Sequence, residues 1–339
     1  MDEHVKPNFD CRTLSAQEIN ISEKSEEIRL YKKKIWVVGH QGMVGQALIR
    51  NLNPNNNFLC VSRADLDLRK SDQVNQWIKN NKPDIIFLSA GKVGGIISNK
   101  RFPAEYLYDN LLIAANVINA AHIFKTRKLI YIGSSCIYPK NALQPMTENM
   151  LLTGKLEPTN EFYSLGKISG IKLCEAYNKQ YKDNFISIVP TNLYGPCDNF
   201  NNVSSHVPAA LLDRFHNAKI HNKKHVVVWG SGKQHREFMH VDDLAMACIF
   251  LAEKYNSADI INVGTGKSIS IKDFALKIKN IVSYQGDIIY DTTKPEGSKK
   301  KSLSSKKIND LGWFSQIDLD MGLKSFYAWY LSNYQKLKR

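Results

Sequence analysis

The sequence predicts an α/β fold, a doubly wound parallel sheet that is followed by a smaller and less regular C-terminal region. Two observations lead to this prediction. Between residues 34 and 195, five short apolar segments with the length of buried strands alternate with longer segments of helical spacing. A glycine-rich turn joins the first of these strands to the first helix. Strands that alternate with helices form parallel sheets covered on both faces, and their ligands lie at the carboxyl ends of the strands.

The alternating part contains five predicted strands and the four helices between them. The strands are KIWVVG, NFLCVSR, PDIIFLSAG, KLIYIGS and FISIVPTNLYG. The helices are MVGQALIRNL, SDQVNQWIKNN, EYLYDNLLIAANVINAAHIF and SLGKISGIKLCEAYNKQY. Ser71 is the expected N-cap of the second helix, because a serine hydroxyl can accept a hydrogen bond from a free backbone N–H.

The pattern becomes irregular after Gly195. HVVVWGS, IINVGTG and DIIYD are predicted strands, and helices are predicted over 207–217, 241–254 and 271–281. We therefore expect one domain over residues 34–195 and a second region over 196–339 that is partly interleaved with it. The polar residues 1–33 precede the first strand and are expected to form a poorly ordered extension.

Composition and charge exclude several classes of protein. The net charge is +14, but the lysines are scattered and no basic stripe contains interleaved aromatic residues, so we expect no nucleic-acid partner. No apolar run approaches the roughly 18 residues that span a bilayer, and the N-terminus lacks the pattern of a secretory signal. The six cysteines form no CxxC pair. This argues against a metal site or a disulfide framework and favours a reducing cytoplasm.

The turn after the first strand has the spacing GxxGxxG, within the segment VVGHQGMVGQAL. Glycine permits a tight turn and lets backbone N–H groups approach a pyrophosphate at the start of a helix. Between a strand and a helix this motif indicates dinucleotide binding, so 34–195 is the expected Rossmann-type cofactor domain. The residues expected to contact the cofactor here are Gly39, His40, Gln41, Gly42, Met43, Val44 and Gly45.

The end of the second strand bears on the choice of cofactor. NAD-binding proteins often place an acid there to hold the ribose 2′-hydroxyl, whereas an arginine suits a 2′-phosphate. The segment VSRADLDL supplies Arg63 and therefore favours NADP over NAD. Asp65 and Leu66 follow and are expected to lie against the adenine.

A catalytic set follows from three further positions. Tyr163 and Lys167 form a YxxxK pair and share one face of a helix. A lysine cation close to a phenol is expected to lower its pKa, which lets Tyr163 exchange a proton with a substrate oxygen. Ser134, at the tip of the fourth strand, could hydrogen-bond the same oxygen.

With these motifs the chain resembles the extended short-chain dehydrogenase/reductases that act on nucleotide sugars, and most closely the GDP-L-fucose synthase family. The match runs from about residue 34 to the C-terminus. It is carried by GHQGMVG, AGKVGGI, GSSCIYPK, EPTNEFYSLGKISGIKLCEAYN, PTNLYGPCDNF, SHVPAALLDRF, VVVWGSG, REFMHVDD and INVGTG.

The resemblance implies a bifunctional enzyme with the substrate GDP-4-keto-6-deoxy-D-mannose. C3 and C5 of the sugar are inverted, and NADPH then reduces C4. Inversion requires an acid and a base on opposite faces of the ring, and the resemblance assigns these roles to Cys136 and His206. Without that context, Cys136 would be read as a small residue packed in the core.

The resemblance also implies binding residues and a homodimer. Further cofactor contacts are expected from Ile132, Gly133, Ser135, Lys167, Pro190, Thr191, Asn192, Leu193 and His206, and substrate contacts from Arg214, Trp229, Arg236 and Lys301. Ser304 stands where bacterial members commonly have aspartate, which leaves the substrate contact of Lys301 open. The dimer is expected to form through the helices over 105–124 and 163–181.

Two alternatives stay open. One is another nucleotide-sugar reductase or epimerase of the same superfamily. The other is a non-catalytic dinucleotide sensor, against which the intact Ser134, Tyr163 and Lys167 argue.

Overall fold

The computed structural model describes residues 29–201, 204–294 and 297–337; most of the predicted extension over 1–33 lies outside these ranges. Within them the strands are β1 (Lys34–Val38), β2 (Asn57–Leu59), β3 (Ile85–Leu88), β4 (Lys128–Ile132), β5 (Phe185–Pro190), β6 (Asn192–Tyr194), β7 (His225–Trp229), β8 (His235–His240), β9 (Ile261–Val263), β10 (Ser268–Ser270), β11 (Asp287–Asp291) and β12 (Lys300–Lys301). The helices are α1 (Met43–Asn51), α2 (Ser71–Asn81), α3 (Ile96–Arg101), α4 (Pro103–Ile123), α5 (Glu161–Tyr181), α6 (Val207–Ile220), α7 (Val241–Lys254), α8 (Ile271–Val282), α9 (Lys306–Asp310) and α10 (Leu319–Leu337).

The main sheet is parallel and has the strand order β2-β1-β3-β4-β5-β9. The chain runs outward from β1 to β2 and then returns to β3 on the other side. The strand order therefore reverses between β1 and β3, where a doubly wound sheet opens a crevice for its ligand. The predicted fold class is confirmed.

Side chains of successive strand residues enter two cores, because they point to opposite faces of the sheet. Ile35 and Val37 join the core under α1 and α7. Trp36 and Val38 join the core under α2, α4 and α5. All four residues are buried, as expected for a sheet that is covered on both faces.

The start of α2 differs from the prediction. The helix begins at Ser71 itself, Lys70 occupies the N-cap, and no side chain caps the helix. A turn in which the Lys70 N–H bonds the Asp67 carbonyl leads directly into the helix, and Val74 then bonds the Lys70 carbonyl. The helix therefore starts one residue earlier than the serine pattern predicts.

The segment predicted as one fifth strand forms two. β5 ends at Pro190 and pairs with β9, whereas β6 leaves the main sheet and pairs with β8. The Thr191 hydroxyl and the Asn192 amide both donate to the Glu237 carbonyl, at 3.2 and 2.9 Å, which directs the chain toward β8. The chain thus leaves the main sheet at the carboxyl end of β5.

The remaining strands form two small sheets. One has the order β10-β8-β12 with β6 added to β8, and the other pairs β7 with β11. Helices α6, α8 and α10 pack around a third core that contains Phe215, Phe274 and Phe326. No helix in the described ranges is apolar over a length sufficient to cross a bilayer.

Candidate active site

The glycine turn between β1 and α1 leaves room for no side chain at two positions. Gly39 has φ +86°, and a Cβ there would lie 2.9 Å from the Ala90 main chain. A Cβ at Gly45 would lie 2.3 Å from the Gly39 carbonyl oxygen. The backbone therefore comes close to itself at the first turn of α1, where free N–H groups can bind a phosphate.

A cleft of about 320 Å³ opens beside this turn, at the reversal of strand order. Its wall includes His40, Gln41, Gly42, Arg63 and Leu66 among the residues that the sequence predicts. Met43 and Val44 instead pack against the core below α1. Asp65 also lies outside the wall of this cleft: it borders a shallower hollow, and its carboxylate accepts a 2.6 Å bond from the Ser62 hydroxyl.

Arg69 is a cleft residue that the sequence analysis did not find. Its guanidinium bonds the Asp67 carboxylate at 2.8 Å and the Asp109 carboxylate at 3.2 Å. The hydrogen bond from Arg69 lowers the pKa of Asp67 to about 2. Arg63 makes no hydrogen bond within the described part of the chain, so its guanidinium remains available for a further anion.

Lys167 lies under the carboxyl end of β4. Its ammonium donates to the Ile132 carbonyl at 2.9 Å and lies 5.1 Å from the centre of the Tyr131 ring. Burial lowers the pKa of Lys167 to about 8. A Cβ at Gly91 would lie 3.4 Å from the Lys167 Nζ, so this glycine keeps the space beside the ammonium free.

Tyr163 is buried, and its pKa is raised rather than lowered. Burial is the main cause and the negative charge of Cys136 adds to it, while a hydrogen bond with Ser134 acts in the opposite direction. The expectation that Lys167 lowers this pKa is therefore wrong for the structure. Lys167 is not among the groups that shift the pKa of Tyr163, and its ammonium donates to the Ile132 carbonyl.

Asn110 supports the loop that follows β3, and the sequence analysis missed it. The asparagine is buried, its Oδ1 accepts from the Lys92 N–H at 3.2 Å, and its Nδ2 donates to the Lys92 and Tyr106 carbonyls at 3.0 and 2.7 Å. The sequence could have indicated Asn110 as a polar residue on the apolar face of the predicted helix.

Cys136 lies in a single turn of 3₁₀ helix directly after β4. The Ser134 hydroxyl accepts from the Cys136 N–H at 3.3 Å. The thiol Sγ is 3.2 Å from the Lys301 ammonium and 3.1 Å from the Asn160 amide nitrogen. Burial by itself raises the pKa of Cys136, but the Lys301 charge, the Ser134 hydrogen bond and the Arg236 charge outweigh it, so the net pKa is lowered. These neighbours therefore stabilise the thiolate form of Cys136 relative to that of a free cysteine.

His206 is the N-cap residue of α6 and lies near the same lysine. Part of the residue is exposed, yet the protein atoms around its imidazole lower the pKa, and the charge of Lys301 adds to this effect. The segment before it is held by the Gly95 N–H, which donates to the Ser204 carbonyl at 3.1 Å. Cys136 and His206 therefore share Lys301 as an electrostatic neighbour.

The other predicted substrate residues form two groups. The Arg214 guanidinium lies 4.9 Å from the centre of the Trp229 ring, and Trp229 is 37% exposed rather than packed in a core. Arg236 donates to the Ser298 carbonyl at 2.7 Å, and β12 pairs with β8 so that Lys301 faces Arg236.

The remaining predicted cofactor residues occupy the ends of β4 and β5. Gly133 donates its N–H to the Ile188 carbonyl at 2.7 Å, Ser135 is buried beside it, and Pro190 pairs with Val263. Leu193 packs against the first core. Their contacts with a cofactor stay predictions.

Glu237 holds the segment that carries Lys301, although nothing in the sequence analysis marked it as important. Its buried carboxylate accepts the N–H groups of Thr265, Gly266 and Leu303 at 2.6, 2.9 and 2.7 Å. Burial raises its pKa, while these hydrogen bonds oppose the rise. Since residues 300–303 are fixed in this way, Lys301 is held beside the thiol.

Comparisons with known proteins identify the family of the chain. The model of the NAD dependent epimerase/dehydratase family matches residues 35–264. The chain belongs to the NAD dependent epimerase/dehydratase family. It is 46% identical over 319 residues to a putative GDP-L-fucose synthase 2 of Arabidopsis thaliana. The aligned residues make up 93% of this chain and 97% of that relative.

Two solved structures of similar fold are named as GDP-sugar enzymes. A GDP-L-fucose synthetase from Naegleria fowleri bound to NADP superimposes with a TM-score of 0.87 at 28% identity, over 93% of this chain and 98% of that one. A GDP-6-OMe-4-keto-L-xylo-heptose reductase from C. jejuni gives a TM-score of 0.86 at 35% identity, over 91% and 99%. The resemblance drawn from the sequence is confirmed. Among the described residues of this epimerase/dehydratase family member, no cluster of side chains is suited to hold a metal ion.

Proposed function

We propose that the protein is an NADP-dependent GDP-L-fucose synthase, which inverts C3 and C5 of GDP-4-keto-6-deoxy-D-mannose and reduces C4. The observation that carries this proposal is the placement of Cys136. Its sulfur receives donors from Lys301 and Asn160, and Cys136 lies two residues beyond Ser134, which bonds the phenol of Tyr163. A proton-transfer group for a neighbouring carbon thus lies beside a proton donor for a carbonyl oxygen. The names of the relatives support the same activity.

The residues of the cleft fit NADP. The glycine turn presents backbone N–H groups to a pyrophosphate, and Arg63 is available for a 2′-phosphate. The bound cofactor supplies the hydride for C4. We assign the contact with the ribose hydroxyls to Lys167, whose ammonium lies under the carboxyl end of β4. We assign residues 34–195 mainly to cofactor binding and 196–339 mainly to substrate binding.

Reduction of a ketone needs a proton for the oxygen as the hydride arrives at carbon. The raised pKa of Tyr163 keeps its phenol protonated near neutral pH, so the group is ready to donate. Ser134 bonds the same phenol and can hold the substrate oxygen in line with it.

Epimerisation uses the acidity of carbons that flank a ketone. The Cys136 thiolate can remove a proton from one face of the ring, and the partly exposed His206 can take a proton from water and deliver it to the other face. A lowered pKa makes a protonated imidazole a stronger acid, which suits this delivery. We assign the binding of the GDP group to Arg236 and the Arg214–Trp229 pair, through charge and stacking.

The test of this function is the product. The full-length protein is incubated with GDP-4-keto-6-deoxy-D-mannose and NADPH, and the sugar is identified by NMR. GDP-L-fucose is expected. A sugar reduced at C4 with C3 and C5 unchanged would instead indicate a simple reductase, and no turnover would contradict both activities.

Arg63→Ala should weaken the binding of NADPH much more than that of NADH. A charged hydrogen bond to the 2′-phosphate contributes roughly 1.5–3 kcal/mol, which NADH cannot form. The dissociation constants are measured by fluorescence titration, with Lys79→Ala on the outer surface of α2 as the control. An equal loss for both cofactors would show that Arg63 binds elsewhere.

Leu165→Glu should convert a homodimer to a monomer. Helices α4 and α5 expose Tyr108, Phe162, Leu165 and Tyr181, an apolar set that a second copy can cover in a four-helix bundle. We propose this homodimer, in a reducing cytoplasm that suits the unpaired cysteines of the described chain.

Light scattering at micromolar concentration measures the mass of the assembly. Leu311→Glu, at an exposed leucine outside α4 and α5, is the matched control and should remain dimeric. A wild-type monomer would contradict the proposal.

A further inference from the structure

We propose that Asn160 is a positioning residue for Cys136, which fixes the thiolate relative to the helix that carries Tyr163. The inference rests on the proposed function only for its effect on epimerisation, since the effect on the thiol itself can be measured without substrate.

The side chain of Asn160 does not cap the helix that it precedes. Asn160 is the N-cap residue of α5, where an asparagine side chain usually accepts a hydrogen bond from the first turn of the helix. Its side chain makes no such bond. The main-chain carbonyl of Asn160 instead accepts from the Ser164 N–H at 2.9 Å, and the Ser164 hydroxyl oxygen lies 3.0 Å from it. The amide is therefore not used to stabilise the helix.

The Asn160 amide instead contacts the sulfur of Cys136. The Asn160 Nδ2 lies 3.1 Å from the Cys136 Sγ, on a sulfur that also receives the Lys301 ammonium at 3.2 Å. The two donors come from different elements, the start of α5 and β12. Lys301 supplies charge on a flexible stem that can follow the sulfur. Asn160 is short and attached to a helix end, so it can determine where the sulfur lies.

The same helix also holds the main chain of Cys136. The Ser164 hydroxyl donates to the Cys136 carbonyl at 2.8 Å, in addition to its contact with Asn160. Ser164 lies next to Tyr163. The start of α5 thus holds Cys136 by its carbonyl and by its sulfur. Tyr163, next to Ser164, is the proposed proton donor for C4. This keeps the base a constant distance from the phenol.

The surroundings of Asn160 suggest an informative substitution. Its Oδ1 is enclosed, with no donor among the described residues. Asn160→Asp keeps the shape of the side chain but places a carboxylate beside the thiolate without a compensating donor. Asn160→Ala removes the donor alone. Both changes should disfavour the thiolate, and the aspartate should do so more strongly.

The test measures the rate at which iodoacetamide alkylates Cys136 as a function of pH, in the full-length protein. Mass spectrometry of the Cys136 peptide separates this thiol from the exposed Cys60. Asn160→Ala should reduce the thiolate fraction at pH values below the pKa of Cys136 about tenfold, the loss expected for one charge-assisted hydrogen bond. Asn160→Asp should reduce it further. Asn149→Ala, at an exposed asparagine, should match the wild type.

Overlapping pH profiles for the wild type, Asn160→Ala and Asn160→Asp would overturn the proposal. If Asn160→Ala does not fold, the near-isosteric Asn160→Asp decides the matter alone. A shifted thiol profile in a protein whose product retains the C3 and C5 configuration would support the positioning of Cys136 and contradict the epimerase function. The two proposals can therefore fail separately.

Discussion

Tyr163→Phe should abolish reduction while leaving NADPH binding measurable. Without the phenol, the proton donor that we propose for the C4 oxygen is lost, and general acid catalysis of this kind contributes about 10²–10⁴-fold. Loss of the hydroxyl leaves the ring, so its edge-to-face contact with Tyr106 at 6.2 Å is kept. The fold should therefore be unchanged.

The measurement is the oxidation of NADPH with GDP-4-keto-6-deoxy-D-mannose, together with the dissociation constant of NADPH. Tyr177→Phe is a matched control on the same helix, because its hydroxyl bonds Asn119 and not the catalytic set. Wild-type turnover in Tyr163→Phe would remove the phenol from the mechanism. Exchange of the C3 and C5 protons should persist in this variant.

Cys136→Ser should have the opposite effect, because it should block epimerisation and leave reduction. Serine nearly preserves the size of the side chain, but its hydroxyl is far less acidic than a thiol, whose ordinary pKa is about 8.5. The Lys301 ammonium and the Asn160 amide then face an alcohol that stays protonated. Exchange of the C3 and C5 protons with deuterated solvent should fall by about 10²–10⁴-fold, the contribution of a positioned base.

Hydride transfer should survive in Cys136→Ser, because it depends on Tyr163, Lys167 and Ser134. The variant should slowly yield a reduced sugar in which C3 or C5 keeps its configuration, as seen by NMR. His206→Gln should block inversion at the delivery step, and Cys60→Ser at an exposed cysteine should behave as wild type. Exchange of both protons at the wild-type rate would show that Cys136 is only a packing residue.

Short-range sequence patterns predicted the helices and strands whose formation depends on residues nearby in the chain. Strand and helix periods located the units from β1 to β5, and the helix over Val241–Lys254 was predicted with its correct bounds. The split between β5 and β6 was missed, because it depends on the Glu237 carbonyl, which is distant in the chain. The cap of α2 was missed because a preceding turn displaced the serine.

The residues of the site also divide into those that sequence spacing reveals and those that only three-dimensional contacts reveal. The glycine turn and the YxxxK pair have fixed spacing and could be found by inspection. The contact of Lys301 with Cys136 joins residues 165 positions apart, so no spacing rule reveals it. Glu237 and Asn160 are likewise defined by what they contact in three dimensions. Arg69 required knowledge of Asp109, which approaches it from another helix.

The position of β9 has a consequence for synthesis of the protein on the ribosome. β9 is the sixth strand of the main sheet, yet it is encoded after β8 and α7. A nascent chain that ends near residue 195 therefore has β5 as an open edge, with Ile188 and Pro190 lacking their partners Ile261 and Val263. Unpaired edges of this kind promote association between unfinished chains. Because pairing of β5 with β9 is non-local and closes a long loop, completion of the sheet should be a slow step that follows emergence of the second half.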